Sequence, residues 1–217
     1  MNSLEPDGGS DADADPPPPQ RRSPSARRVL EATIDAIDAG GETAVRVQEI
    51  ADAAGVQIPV LYRYYGSRDG MIQAAQVERL GRALDRELLE VKAAVRSATT
   101  ATQFRALLDV VLASLDSIER RDLRWKRVNV IGSTYGRPAL AAAVSKLQSR
   151  AVLGIADALR HPQQSGWLRQ DLDLEAFASW FAGQTLGRIL IELGDSGIDE
   201  SAWNAISADA VRHVLLA

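Results

Sequence analysis

An all-α fold is predicted by three observations. Apolar residues recur at helical spacing from Ser25 to the end of the chain. No segment alternates apolar and polar residues between turn signals, as a half-buried strand does. Glycines punctuate the helical runs.

The first helix begins near Ser25, with Leu30, Ile34 and Ile37 at i, i+4 and i+7 and Val29 and Thr33 flanking them. Gly40 and Gly41 end it, as a left-handed C-cap does. A short second helix, Val47–Ala54, puts Val47, Ile50, Ala51 and Ala54 on one face and stops at Gly55. A third, Ile58–Tyr65, stops at Gly66 and Ser67. A long helix starts near Arg68 and runs into the nineties. Helical periodicity then continues over about 102–119, 121–132, 137–160, 173–194 and 199–216. There is no internal repeat.

Composition narrows the function classes. A length of 217 residues is that of one or two domains. The chain has no cysteine, which excludes a disulfide scaffold, a zinc finger, an iron–sulfur site and a thiol nucleophile. Its two histidines, His161 and His213, are too few and too separated for a multi-histidine metal centre, and no metal or cofactor is expected. No apolar run is long enough to span a membrane, and the acidic N-terminus lacks the apolar core of a secretory signal, so a cytoplasmic protein without membrane contact is expected.

The net charge of −4 is unevenly distributed. Residues 1–20 carry Glu5, Asp7, Asp11, Asp13 and Asp15 and no base, a charge of −5, so the remaining chain carries +1. Together with the prolines at 16–19, this composition predicts a disordered acidic, proline-rich tail over 1–20. Bulk charge therefore does not announce a nucleic-acid partner. Any such partner must be argued from local placement.

Residues 47–65, VQEIADAAGVQIPVLYRYY, provide that placement. A helix-turn-helix needs a small residue where its two helices cross, and Ala51 meets that need. It needs a residue tolerant of positive φ four positions later, and Gly55 meets that. Ile50, Val56 and Leu61 have the spacing to lock the helices together. The outer face of the second helix is then free to enter a major groove. Three of the four tyrosines, Tyr62, Tyr64 and Tyr65, lie within four residues around Arg63. Tyr65 follows Leu61 by four and is expected to pack inward; Tyr62 and Tyr64 are expected outward. Arg46 and Arg68 flank the pair of helices with positive charge, and Arg21, Arg22, Arg27 and Arg28 precede it.

The run from Gly41 to Met71 resembles the N-terminal signature of TetR-family transcriptional regulators. The resemblance rests on Ile50-Ala51, Ala54-Gly55-Val56, Leu61-Tyr62, Tyr64-Tyr65 and Ser67-Arg68-Asp69. It implies a helix-turn-helix DNA-binding domain over 21–67 and a helical effector-binding and dimerisation domain over 68–217. It also implies a homodimer on a palindromic double-stranded DNA operator, most simply a repressor released by a small molecule. The expected DNA-contacting residues are Arg46, Gln57, Pro59, Val60, Tyr62, Arg63, Tyr64 and Arg68. The chain departs from the family pattern where Arg46 replaces a capping threonine, Gln57 a serine, and Pro59-Val60 a Gly-Thr pair. Proline is tolerated in a first helical turn. The lost threonine hydroxyl removes a phosphate donor, so operator preference does not transfer from the family.

The segment 173–194 is apolar around most of its circumference, which means burial on two sides. The resemblance makes one side a dimer contact, with Phe177, Trp180, Phe181, Gly183, Gly187 and Leu190 joined by Trp203 and Val211 of the last helix. The alternative is a purely intrachain core. For an effector pocket the candidates are Trp125, Asn129, Ser133, Tyr135 and Gln184, and the scarcity of cationic clusters on apolar helix faces predicts an apolar or aromatic effector.

Two other function classes were weighed. An enzyme finds little support: Gly132-Ser133-Thr134-Tyr135-Gly136 puts Thr134 where a nucleophile elbow requires serine, and no phosphate-binding glycine loop is present. A DNA-binding regulator without small-molecule control fits the same sequence.

Overall fold

The computed structural model describes residues 23–194 and 197–216. The tail predicted over 1–20 lies outside them. Among the described residues the secondary structure is helical, apart from one isolated antiparallel bridge between Leu168 and Leu216. The chain divides into two compact units at Ile72/Gln73.

The first unit contains α1 (Pro24–Gly40), α2 (Val47–Ala54), α3 (Ile58–Tyr65) and the start of α4 (Arg68–Ser97). Ser23 caps α1, its Oγ accepting the Ala26 N–H at 3.2 Å, and Pro24 occupies the first turn where no N–H is needed. The buried face of α1 carries Val29, Leu30, Ile34 and Ile37, the positions read from periodicity. Against it lie Val45, Ile50, Ala51, Ala54 and Leu61, with Met71 and Ile72 of α4 completing this core. Thr33 is buried among them at no cost in unmet polarity, because its hydroxyl donates to the Val29 carbonyl at 2.7 Å. Met71 and Ile72 carry the unit past residue 67, the end expected from the sequence.

The second unit holds the remainder of α4 with α5 (Ala101–Ala113), α6 (Ile118–Gly132), α7 (Pro138–Gln164), α8 (Leu174–Gly187), α9 (Ile189–Glu192) and α10 (Glu200–Leu215). Side-chain caps set several boundaries. Thr100 accepts from Gln103 N, Ser117 from Arg120 N, and Asp173 from both Glu175 N and Ala176 N. The Ser117 cap explains why α5 and α6 part before the expected 119/121 boundary: α5 gives way to a tight turn over Ser114–Asp116, and Ser117 restarts the helix. The expected helix over 173–194 is interrupted at Arg188. There the Ile191 N–H donates to the Arg188 carbonyl three residues back, and the Arg188 side chain turns inward to meet Glu192 and Glu200.

Two apolar clusters fill this unit. One combines Leu80 and Leu84 of α4 with Val130, Leu140, Val144 and Ala151. The other gathers Phe104, Leu112, Leu159, Leu168, Phe177, Val211 and Leu215. Phe177 and Val211, expected at a dimer contact, are 6% and 2% exposed within a single chain. They belong to its own core. For these two positions the intrachain alternative holds, because α8 turns its Phe177 face toward α7 and α10.

Candidate nucleic-acid interface

The turn between α2 and α3 is made by Gly55, at φ 61° and ψ 44°, in the left-handed region. The Val56 N–H donates to the Ala51 carbonyl at 3.0 Å and the Gly55 N–H to Asp52 O at 3.1 Å, closing α2 as a Schellman-type cap does. Ala51 is fully buried, consistent with a small residue at a close helix crossing. α3 then starts with Pro59 in its first turn and without a side-chain cap from Gln57.

The orientation of α3 follows from two inward anchors, one buried and one half-buried. Leu61 is fully enclosed, and four residues on Tyr65 donates its hydroxyl to the Ala26 carbonyl of α1 at 2.6 Å. The opposite face must then be solvent-facing, and it is: Pro59, Tyr62 and Arg63 are exposed, at i, i+3 and i+4 on one stripe, with Gln57 exposed just before them. Tyr62 is 40% exposed. Val60 and Tyr64 are half-buried at the flanks of this stripe. Tyr64 is held rather than free. The Arg63 guanidinium carbon lies 5.4 Å from its ring centroid, and the ring meets Tyr65 edge-on at 6.5 Å. Hydrogen bonding with Ser23 and then Arg63, aided by the charges of Arg63 and Arg28, holds the Tyr64 phenol below the usual tyrosine value.

The arginines divide into two kinds. Arg63 is exposed on the stripe, and Arg46 is exposed beside it in sequence order at the start of α2, donating to the Thr43 carbonyl. Arg68 and Arg28 brace the fold. Arg68 donates from Nε to Val45 O at 3.0 Å and from Nη2 to Glu42 O at 2.7 Å, fastening the loop that precedes α2. Arg28 donates from Nε to Ala54 O at 2.8 Å, meeting the carbonyl end of α2 where a cation is favoured. The bracing of Arg28 and Arg68 was not legible in the sequence, since nothing in spacing says that a guanidinium will turn back onto a carbonyl.

Gly70 was also missed. A Cβ at this position would sit 2.2 Å from the Tyr65 backbone oxygen. The α3–α4 corner therefore closes only over glycine, while Ser67 caps α4 by accepting the Gly70 N–H at 2.9 Å. The available signal was a glycine inside the first turn of a helix, a position that otherwise disfavours it.

In the second unit, the expected pocket residues separate. Trp125 and Asn129 are exposed, Tyr135 is 96% exposed, and Ser133 is half-buried. None of these four lines either cavity of the second unit described next. The reason is helical phase: α6 turns Arg124, Arg127 and Val130 inward, which sends 125 and 129 outward. A cavity of about 100 Å³ lies instead among α4, α5, α6, α7, α8 and α10. All three phenylalanines of the chain, Phe104, Phe177 and Phe181, line it, and the only polar side chains on its wall are Glu87 and Arg120. Gln184 lines a second space of about 30 Å³ beside Arg124, Arg188 and Asn204, which is room for a water or two. There two buried arginines, Arg124 and Arg188, share the carboxylate of Glu192.

Of the expected dimer residues, Trp180, Gly183 and Leu190 are exposed, while Phe181, Gly187 and Trp203 are half-buried. A Cβ on Gly183 or Gly187 would meet nothing within 4 Å.

A three-helix unit with a glycine-cornered second pair and an outward aromatic, cationic stripe is a helix-turn-helix DNA-binding module. Residues 29–75 match the family model of bacterial regulatory proteins, tetR family. Over its described residues the chain has the TetR-type fold. It superposes on a protein assigned to the TetR-family transcriptional regulators from Rhodococcus sp. with a TM-score of 0.61 at 23% identity, covering 89% of this chain and 100% of that one. The corresponding values for such a regulator from Mesorhizobium loti are 0.65, 17%, 89% and 97%. For a transcriptional regulator from Saccharomonospora viridis, solved in complex with choline, they are 0.64, 20%, 90% and 100%. No curated protein matches the chain. No described helix is long and apolar enough to cross a membrane.

Proposed function

We propose that the chain is a cytoplasmic, homodimeric repressor that binds a palindromic operator through α3 and leaves it when a small apolar molecule fills the cavity of its second unit. The observation that carries this reading is the stripe of Pro59, Tyr62 and Arg63, presented outward because Leu61 and Tyr65 fix the opposite face. Tyrosine hydroxyls and a guanidinium are donors suited to phosphate and base edges. Arg46 joins them as a phosphate contact, and Arg68 contributes by holding the loop before α2.

Pairing follows from what the last helices leave uncovered. Leu190 and Ile206 are 66% and 71% exposed, and Trp180 stands out beside the open surface of Gly183 and Gly187. An apolar surface flanking small residues suits the close approach of a second copy. Two copies present α3 to successive major grooves roughly 34–36 Å apart. The effector acts by binding one arrangement of the dimer better than the other, and it shifts DNA affinity by no more than that difference.

The test is a gel-shift titration with DNA flanking the chain's own gene, alongside light scattering of the eluting protein. A dimer that retards this DNA in preference to unrelated duplex supports the reading. Leu190→Glu and Ile206→Glu are expected to yield monomers with lost operator affinity. A monomeric parent, or equal binding to any duplex, overturns it.

A further inference from the structure

The cavity ringed by the three phenylalanines has one charged spot, and its wiring is asymmetric. Glu87 of α4 accepts from Arg120 of α6 at 3.0 Å, and both side chains are partly exposed. The second oxygen of Glu87 lies 4.0 Å from Nη1 of Arg127, one helical phase further along α6. Arg127 is the dependent member. Its side chain is nine-tenths buried, its Nε donates to nothing, and it is otherwise held only by Gln148 at 2.6 Å. Burial pushes its guanidinium below the usual arginine value, the signature of a cation short of solvation. Glu87 thus has two arginines within reach, whereas Arg127 has one carboxylate among the described residues.

We propose that this cavity takes a small amphipathic monocarboxylate, whose apolar body lies among the phenyl rings and whose carboxylate claims Arg120 while Glu87 passes to Arg127. The proposal rests on the reading of the cavity as an effector site. The apolar wall accommodates a hydrocarbon or aryl body and offers no polar partner beyond the one ion pair. The sign of the head group follows from the wiring. A cationic head drawn to Glu87 leaves the buried Arg127 without its carboxylate, a costly outcome for an enclosed charge. An anionic head on Arg120 displaces Glu87 onto a guanidinium that gains from it. A neutral ligand leaves the pair as it stands and draws any difference between two states from apolar contacts alone. Because Glu87 sits on α4, the exchange re-anchors that helix. A free volume of about 100 Å³ suits roughly seven to ten non-hydrogen atoms, taking a water as about 10–15 Å³ on the same measure.

Octanoate, 1-octanol and octylammonium share one chain and differ in head charge. Calorimetric titration of the full chain with each is expected to give octanoate about tenfold tighter than octanol, the scale of one charge-assisted hydrogen-bonded pair in a partly exposed site. Arg120→Gln is expected to erase that advantage and leave octanol binding unchanged. Glu87→Gln, which removes the nearer of the two carboxylates on Arg120 and leaves Glu90 at 3.4 Å on its other nitrogen, is expected to tighten octanoate severalfold relative to octanol. Octylammonium binding more tightly than octanoate, or an octanoate preference that survives Arg120→Gln, overturns the carboxylate assignment and leaves the effector site standing. If none of the three binds while DNA binding is intact, the effector-site reading falls, and this inference with it.

Discussion

The hydroxyl of Tyr65 donates to the carbonyl of Ala26 at 2.6 Å, across 39 residues of sequence. This bond ties the last turn of α3 to the first turn of α1. Two tyrosines in the same short helix are thereby given opposite work, Tyr65 holding and Tyr62 reaching.

Replacing the outward residues should therefore cost DNA affinity without costing the fold. Tyr62→Ala is expected to weaken operator binding about tenfold, the loss of one or two polar contacts and ring surface, with the unfolding midpoint unchanged. Arg63→Ala is expected to weaken binding to specific and non-specific duplex alike and to lower the slope of log K against log salt by about one. Gel shifts across a salt series check both. An unaltered affinity in either variant removes that residue from the interface.

The two corner glycines should differ in kind. At Gly55 a Cβ has open space, so Gly55→Ala carries only the left-handed backbone strain, about 1 kcal/mol, and Gly55→Asn less. At Gly70 the Cβ meets a backbone oxygen, so Gly70→Ala must move the α3–α4 corner. Urea titrations of the two variants are expected to place Gly70→Ala as the more destabilised, with a larger drop in DNA affinity as well.

Tyr64 carries the pH dependence of the interface. Its folded value lies below the ordinary tyrosine value, so its phenolate form is favoured by the fold. The sign is that of an acid with a depressed value: the contribution to stability is full above the unfolded value, near 10, and is lost as pH falls through the folded one. DNA binding runs the other way, since a phenolate beside phosphate repels it. Affinity is expected to fall as pH rises toward 10, and Tyr64→Phe is expected to remove that fall.

Glu192 holds two buried cations together. Its carboxylate receives Arg124 and, at 3.1 Å, Arg188, and the side chains of all three are under a tenth exposed. Glu192→Gln leaves the buried Arg124 without a carboxylate among the described residues and Arg188 with Glu200 alone, and is expected to cost about 3–5 kcal/mol, read by chemical denaturation. Replacing Arg124, Arg188 and Glu192 together by apolar residues of similar volume is expected to recover most of that loss.

The DNA-binding unit was more legible in the sequence than the rest, for a physical reason. The α2–α3 turn is local: Ala51, Gly55 and Leu61 answer to one another within ten residues, so spacing alone indicates the geometry. The cavity is assembled from six helices spread over more than a hundred residues, and nothing in α6 announces that Arg124 and Arg127, rather than Trp125, face inward. Burying arginine while exposing tryptophan reverses hydropathy. It is explained only by carboxylates on distant helices, Glu87 and Glu192. The same blindness put Phe177 and Val211 on an outer face, because a helix apolar all round does not declare which side its own chain will cover.

The cavity phenyls have tryptophan neighbours. Trp167 tilts against Phe104 at 6.1 Å and meets His161 edge-on, while Trp180, on the outer face, lies 6.0 Å from Phe177. The chain therefore carries two native fluorophores at the cavity margin, one half-enclosed and one near solvent. With Trp125, Trp180 and Trp203 replaced by phenylalanine, the emission of Trp167 alone is expected to register occupancy of the cavity, so that filling can be timed in a stopped-flow trace without a label.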